Sequence, residues 1–266
     1  MPSCEVRFTE APGHAIEIAR DLLRQDFNRL IAAGGDGTIN EVVNGFMQER
    51  ASEAELAILP LGTGGDFQRT MGIRNVTHAL EVLKTGVPHH IDVGKAGARY
   101  FINLVSFGMG GEVAARSGNI LSPLGGGPAF LYATLAAFLT YHAKLVTLTL
   151  DGISLTARVT NIAVGNGRYH GGGMHVCPQA KLDDGLLEVT IIDDLGMLQL
   201  IRDLPVLYSD NLYKHPKAHH YRSKHIQAES AEPTRIEIDG EPLGTLPLEI
   251  TILPQSLKLL MPHRVK

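Results

Sequence analysis

Twice near its start the chain runs from a short apolar stretch through a glycine-rich turn into a segment of helical period. The first unit is Arg29 to Ala33, then Gly34-Gly35-Asp36-Gly37-Thr38, then Ile39, Val42, Val43 and Phe46 at i, i+3, i+4 and i+7. The second is Leu56 to Leu61, followed by Gly62-Thr63-Gly64-Gly65-Asp66-Phe67 and a short helical stretch. Strand, glycine turn and helix in repetition predict a parallel sheet with helices on its faces. Upstream, Ala11 to Arg24 sets Ile16, Ala19, Leu22 and Leu23 on one face and Glu17, Arg20, Asp21 and Arg24 off it, which is an amphipathic helix.

The pattern changes near Ile91, beyond which strands dominate. They are expected over Tyr100–Val105, Leu145–Leu150, Thr156–Val164, Leu186–Ile192, Arg235–Ile238, Leu248–Leu253 and Leu257–Met261. Val146, Leu148 and Leu150 alternate with Thr147 and Thr149, as in an antiparallel strand with one wet face. The fold class expected is therefore α/β plus β, with residues 1–91 forming the α/β part and 92–266 a mainly β domain. The last strands either stay there or return to the first domain. Hydrophobic residues at 44% and charged residues at 20% permit a packed core. A net charge of −4 argues against a protein that grips a nucleic-acid backbone. Two cysteines, Cys4 and Cys177, exclude a disulfide framework and suit a reducing, cytoplasmic compartment. The start MPSCEVRFTE lacks the charged-then-apolar pattern of a signal peptide. The longest apolar stretch, Pro128 to Tyr141, falls short of the about 20 residues that span a bilayer.

Chemistry is concentrated in the turns. In Gly34 to Glu41, glycines let the main chain bend tightly and let an anion approach its N–H groups, with a helix N-terminus behind them. The same residues also read as a capped helix, Thr38 and Glu41 matching the S/T-x-x-E box. The turn matches neither G-x-x-x-x-G-K-[ST] nor G-x-G-x-x-G, so neither a Walker loop nor a dinucleotide fingerprint is present. Loops at the carboxyl ends of parallel strands face one crevice, so the second turn would bring Asp66 near Asp36. An ordinary helix N-cap role for Asp66 competes with that reading. Asp239-Gly240 between apolar runs is by itself a hairpin signal, and Asp183-Asp184-Gly185 a turn. His170 and His175 flank Gly171-Gly172-Gly173 and read as exposed loop histidines; the triple glycine and Asn166-Gly167 are expected to shape backbone near the cleft. The basic stretch Tyr213 to His225 reads as a solvated face, with an anionic membrane surface as the other possibility. Phe130 to Leu139 is expected to fill core rather than line an acyl-chain pocket.

In order along the chain, GGDGTINEVVNG, LPLGTGGDFQR, GNGRYHGGGMHVCPQAKLDDGLLEV and IEIDGEPLG resemble the diacylglycerol kinase catalytic family, in particular its soluble bacterial lipid kinases, which are similar to sphingosine kinases. GGDGT alone is shared with NAD kinases; the ordered set of four is specific. The resemblance implies a nucleotide-binding α/β domain and a larger β-sandwich domain with the active site in the cleft between them. It implies transfer of the ATP γ-phosphoryl to a lipid hydroxyl, with Mg²⁺, diacylglycerol being the first expected acceptor. By the same likeness Gly34, Gly35, Asp36, Gly37, Thr38, Ile39 and Asn40 would hold ATP with Thr63 and Thr9, and Asp36 and Asp66 would organise phosphates and metal. Asp239, or else Glu241, would accept the hydroxyl proton. A structural Mg²⁺ would be held by the Asp184 carboxylate and the carbonyls of Lys181 and Leu186. The lipid would be met at a membrane surface, with no nucleic-acid partner and a homodimer left open.

The chain departs from the family in two places. No Asn-Pro-x-Ser-Gly turn precedes Thr9, so one strand–helix unit, about 30 residues, is expected to be missing ahead of it. Gly65 stands where the family commonly has Asn. Two other activities compete with the lipid kinase: an NAD kinase-like reaction on a soluble nucleotide, and a silent lipid- or nucleotide-binding protein.

Overall fold

A computed structural model of the protein describes residues 5–51, 53–117 and 140–263. The Phe130 to Leu139 segment lies outside them. After an exposed irregular stretch, residues 5–10, helix α1 (His14–Arg24) leads to strand β1 (Arg29–Gly34) and helix α2 (Asp36–Glu49). Strand β2 (Glu55–Pro60), helix α3 (Asp66–Met71) and helix α4 (Val76–Thr85) follow. Strands β1 and β2 pair in parallel, Arg29 opposite Glu55 through Gly34 opposite Pro60. Both glycine turns therefore emerge at the carboxyl ends of adjacent strands, on the same side of the sheet's end, as the repeated pattern predicts. Ala15 and Ala19 of α1 and Ile39, Val43 and Phe46 of α2 are buried together with Leu30, Leu56 and Ile58 from the strands.

The chain then enters a long antiparallel run. It comprises β3 (Val87–Ala96), β4 (Arg99–Phe101), β5 (Leu104–Gly108), helix α5 (Met109–Ser117), β6 (Lys144–Leu150), β7 (Ile153–Gly165) and β8 (Leu187–Asp193). After short helical turns come β9 (Ala218–Ser223), β10 (His225–Glu229), β11 (Arg235–Ile238), β12 (Glu241–Thr245) and β13 (Leu248–Met261). Apolar side chains alternate inward along β6 and β7 and meet those of β5, β8, β10 and β13 in a second core. The architecture is mixed α/β, an α/β first half and a β-sandwich-like second half on one large curled sheet.

Strand β13 joins the halves. It pairs antiparallel with β10 and β3, and its end pairs in parallel with β2, Lys258 opposite Glu55 and Leu259 opposite Leu56. The two strands expected over 248–253 and 257–261 are one strand with a register shift between Leu253 and Leu257. Ile250 and Ile252 are buried in the sandwich core, Leu257 and Leu259 in the α/β core. The Tyr100–Val105 strand is in turn two, β4 and β5, broken at Ile102 and Asn103, and that break positions the site.

Candidate active site

Three backbone features converge. The turn after β1 and the turn after β2 touch: a Cβ built on Gly62 would lie 2.4 Å from the Gly35 Cα. Only a residue without a side chain allows that approach. The third feature is the β11–β12 hairpin, closed by the two residues between Ile238 and Glu241. Asp239 and Gly240 take φ of 48° and 88°, the two left-handed positions of a tight hairpin. The hairpin reading and the functional reading of Asp239-Gly240 thus describe one object: the turn aims the carboxylate.

Asp239 is buried, and its carboxylate accepts hydrogen bonds on both oxygens. Oδ1 accepts from the amides of Asn103 at 3.1 Å and Leu104 at 2.8 Å. Oδ2 accepts from the Ile102 amide at 3.1 Å and from Asn40 Nδ2 at 2.7 Å. The Ile102–Asn103 break in the strand is what turns three successive amides toward one carboxylate. Burial pushes the Asp239 carboxyl up to about 6 against the pull of those donors. A carboxyl poised there is ionised at neutral pH yet basic enough to take a proton.

Asn40 is the link between the halves. It lies on the second turn of α2, and Nδ2 also donates to the Tyr100 carbonyl at 3.0 Å. Asn44, one turn on, donates to the same carbonyl and accepts from the Tyr100 amide, so β4 is clamped to α2. Sequence reasoning missed this clamp; two asparagines at i and i+4 within an apolar helical run are the only trace it leaves there, and they do not name Tyr100 as the partner. Glu241 lies against Gly37, and its Oε2 is 2.8 Å from the Arg99 guanidinium, which also donates to Asn40 Oδ1 at 3.2 Å. Gly37, Asn40, Asp239 and Glu241 therefore share one corner. Thr63 is exposed at the mouth of the second turn, and Thr9 lies in the exposed segment 5–10.

Two local readings are corrected. Helix α2 is capped by the Gly35 backbone without a side-chain bond, and Glu41 instead reaches α1, accepting from the Gly13 and Ala15 amides at 2.7 and 3.0 Å. Asp66 is the first residue of α3 rather than its N-cap; Gly65 holds that place in a left-handed conformation. The Asp66 carboxylate accepts from the Gly172 amide at 3.0 Å, while the Asp36 carboxylate accepts from the amides of Asp66 and Phe67, each at 3.3 Å. Burial, and secondarily the Asp36 charge, push the Asp66 carboxyl up. Two carboxylates placed this close, with the charge of one felt by the other, suit a hard cation with oxygen ligands.

His170 is also not the exposed loop residue expected. Its Nε2 is 2.7 Å from Oε1 of Glu237, a carboxylate with 3% of its side chain exposed. Burial works against charge on the ring, but Glu237, with Asp66 and Asp239 beyond, outweighs it and raises His170 to about 9. His175 meets Asp210 at 2.9 Å. At the 181–186 turn, Asp184 Oδ1 accepts from the Leu186 amide at 3.2 Å and Oδ2 meets the Arg222 guanidinium. Buried Asp92 accepts from the Gly185 and Gln255 amides at 2.6 and 2.8 Å. The Asp184 carboxylate at this turn thus faces both a main-chain amide and a guanidinium. Among the described residues no group of three or more His, Cys, Asp or Glu is assembled for a metal.

The family model "Diacylglycerol kinase catalytic domain" matches residues 2–96, and "YegS C-terminal NAD kinase beta sandwich-like domain" matches residues 103–261. A Pseudomonas aeruginosa (strain UCBPP-PA14) protein named "Probable lipid kinase YegS-like" is 34% identical over 257 residues, 97% of this chain and 84% of that one. This chain belongs to the YegS-like lipid kinases. A Pseudomonas putida protein of the same name is 33% identical over 259 residues, 97% of this kinase and 85% of the relative. A solved structure titled a diacylglycerol kinase from Bacillus anthracis str. Sterne shares the fold with a TM-score of 0.74 and 24% identity, covering 97% of this chain and 85% of that one. Another from the same strain aligns with a TM-score of 0.77 and 26% identity over the same shares. The fold and the kinase family anticipated from the four motifs are thus borne out. Among the described residues no helix of this lipid kinase is long and apolar enough to cross a membrane.

Proposed function

We propose that this kinase transfers the γ-phosphoryl of ATP to the hydroxyl of a diacylglycerol-class lipid, met at a membrane surface. The observation that carries the reading is the Asp239 carboxylate, buried beside α2 and tied to it through Asn40. Phosphoryl transfer asks for positioning, charge neutralisation and a base for the incoming hydroxyl. The amides of the Gly34–Gly37 and Gly62–Gly65 turns would cradle the phosphates. Mg²⁺ bound with the nucleotide would neutralise phosphate charge, and Asp36 and Asp66 are the residues that would hold it. The lipid oxygen forms its bond to the γ-phosphorus as the bond to the β,γ-bridging oxygen breaks; the hydroxyl proton goes to Asp239 and ADP leaves. Three of the four donors to Asp239 are main-chain amides fixed by β4 and β5. Asn40 is the side-chain donor, so a hydroxyl that reaches Oδ2 takes its place. Glu241, neutralised by Arg99, is the weaker candidate base and serves to hold that corner.

The test follows labelled phosphate from ATP into diacylglycerol, sphingosine and related lipids in mixed micelles, with NAD as a soluble acceptor in a parallel arm. Transfer to a lipid and not to NAD is expected. Transfer to NAD alone, or ATP binding without turnover on any acceptor, would overturn the reading.

A further inference from the structure

The loop from Asn166 to Met174 is bonded both to the Asp66 side of the site and to the strands that carry and hold Asp239, and the reading of the site as a kinase cleft leaves this unused. The loop closes on itself through reciprocal amide–carbonyl bonds between His170 and Met174, both 2.9 Å. Between them Gly171, Gly172 and Gly173 take φ of 61°, 84° and 108°, three consecutive left-handed positions that only glycines fill without strain. On the nucleotide side the loop is bonded to α3 twice: Arg168 N donates to Thr70 Oγ1 at 3.0 Å and Gly172 N to Asp66 Oδ2 at 3.0 Å. On the acceptor side Asn103, whose amide binds Asp239, donates its Nδ2 to the Tyr169 carbonyl at 2.9 Å. His170 then meets Glu237 on β11, two residues before Asp239. A run of three glycines has little stiffness of its own, so its shape must come from what holds its ends.

We propose that the His170–Glu237 ion pair is a positioning device: it anchors the glycine loop to the strand carrying Asp239, and so sets Asp66 on the phosphate side in register with the base. Neither residue touches the reacting atoms. The ring is cationic, Glu237 is shut away from water, and a buried charge pair loses much more when one partner is removed than when both are. The proposal rests on the kinase reading for its effect on rate, but not for its effect on the loop.

The experiment measures two things on His170→Gln, Glu237→Gln and the double variant of the full chain. Hydrogen exchange at the Gly172 amide is expected to speed up by about tenfold or more in each single variant, with the amides of α2 unchanged. In the mixed-micelle assay kcat is expected to fall about tenfold in each single variant, with no further fall in the double. Unchanged Gly172 exchange, or acceleration shared equally by α2, would overturn the proposal, as would losses in the two singles that multiply in the double. If His170→Gln does not fold, His170→Lys restores a cation and is expected to regain Gly172 protection; a His170→Lys protein that also fails to fold would make the pair a fold requirement and overturn it. Should the parent chain phosphorylate no lipid, the functional reading fails and the exchange arm still decides the pair.

Discussion

At the scale of single residues, Asp239 shows how burial and hydrogen bonding oppose each other. Desolvation raises its carboxyl to about 6 although four donors favour the ionised form. As a base it must be deprotonated, so kcat/KM is expected to fall as pH drops through about 6, well above the ordinary carboxylate range. A profile whose acid limb sits near the ordinary value would remove Asp239 from the role. Asp239→Asn is expected to lose about 10²-fold or more in turnover, the usual reach of a general base. It gains no compensating hydrogen bonds, because in either flip its amide N–H₂ faces amide donors. His170 gives a pH effect of the opposite sign. Its pKa is raised by folding, from 6.5 to about 9, so the native state binds the extra proton between those values. Its stabilisation is complete below 6.5 and is lost as pH rises through about 9. Thermal melts across that range should show the decline in the parent chain and its absence in Glu237→Gln.

At the scale of elements, the active corner depends on how closely two turns approach. Gly62→Ala places a methyl 2.4 Å from the Gly35 Cα, and the backbone has to separate. ATP affinity by calorimetry is expected to weaken by about tenfold or more while the protein still folds, since both turns lie at the edge of the core. Unchanged affinity would mean the turns do not grip the nucleotide together. The helices show a different economy. Glu41 resembles an internal cap for α2 yet serves the N-terminus of α1, where the Gly13 and Ala15 amides would otherwise lack partners. Glu41→Ala is expected to destabilise the fold by about 1 kcal/mol, the usual worth of a cap, as read by denaturant titration.

For the molecule as a whole, β13 decides the behaviour. Its first part is buried in the sandwich core and its last part in the α/β core. Two halves that share a central strand cannot unfold independently without exposing it. Chemical denaturation is therefore expected to show one transition by both circular dichroism and tyrosine fluorescence. Leu259→Ala, which empties a fully buried position between β2 and β3, should shift that single transition by about 2–5 kcal/mol. Two separate transitions would show the halves to be autonomous.

Much of this is legible in the amino-acid sequence. The strand–turn–helix units, the parallel pairing of β1 and β2, the hairpin at Asp239-Gly240 and the four ordered motifs follow from local chemistry: a glycine where a chain must bend, an apolar period where a helix must bury a face. What remained hidden was non-local. β3, β9, β10 and β12 carry weak or polar patterns, because their neighbours rather than their own composition complete them. The clamp of Asn40 and Asn44 on Tyr100, the pairing of Arg222 with Asp184 and the ion pair of His170 with Glu237 join residues far apart in the chain. Local sequence determined which residues turn, which bury and which family's motifs they spell. Tertiary structure alone decided the surroundings of each carboxylate: Asp239 shut in among amides, Asp66 buried beside Asp36, and Glu241 paired with Arg99. Those surroundings are made by burial and by donors delivered from distant strands, and neither is written in any one segment.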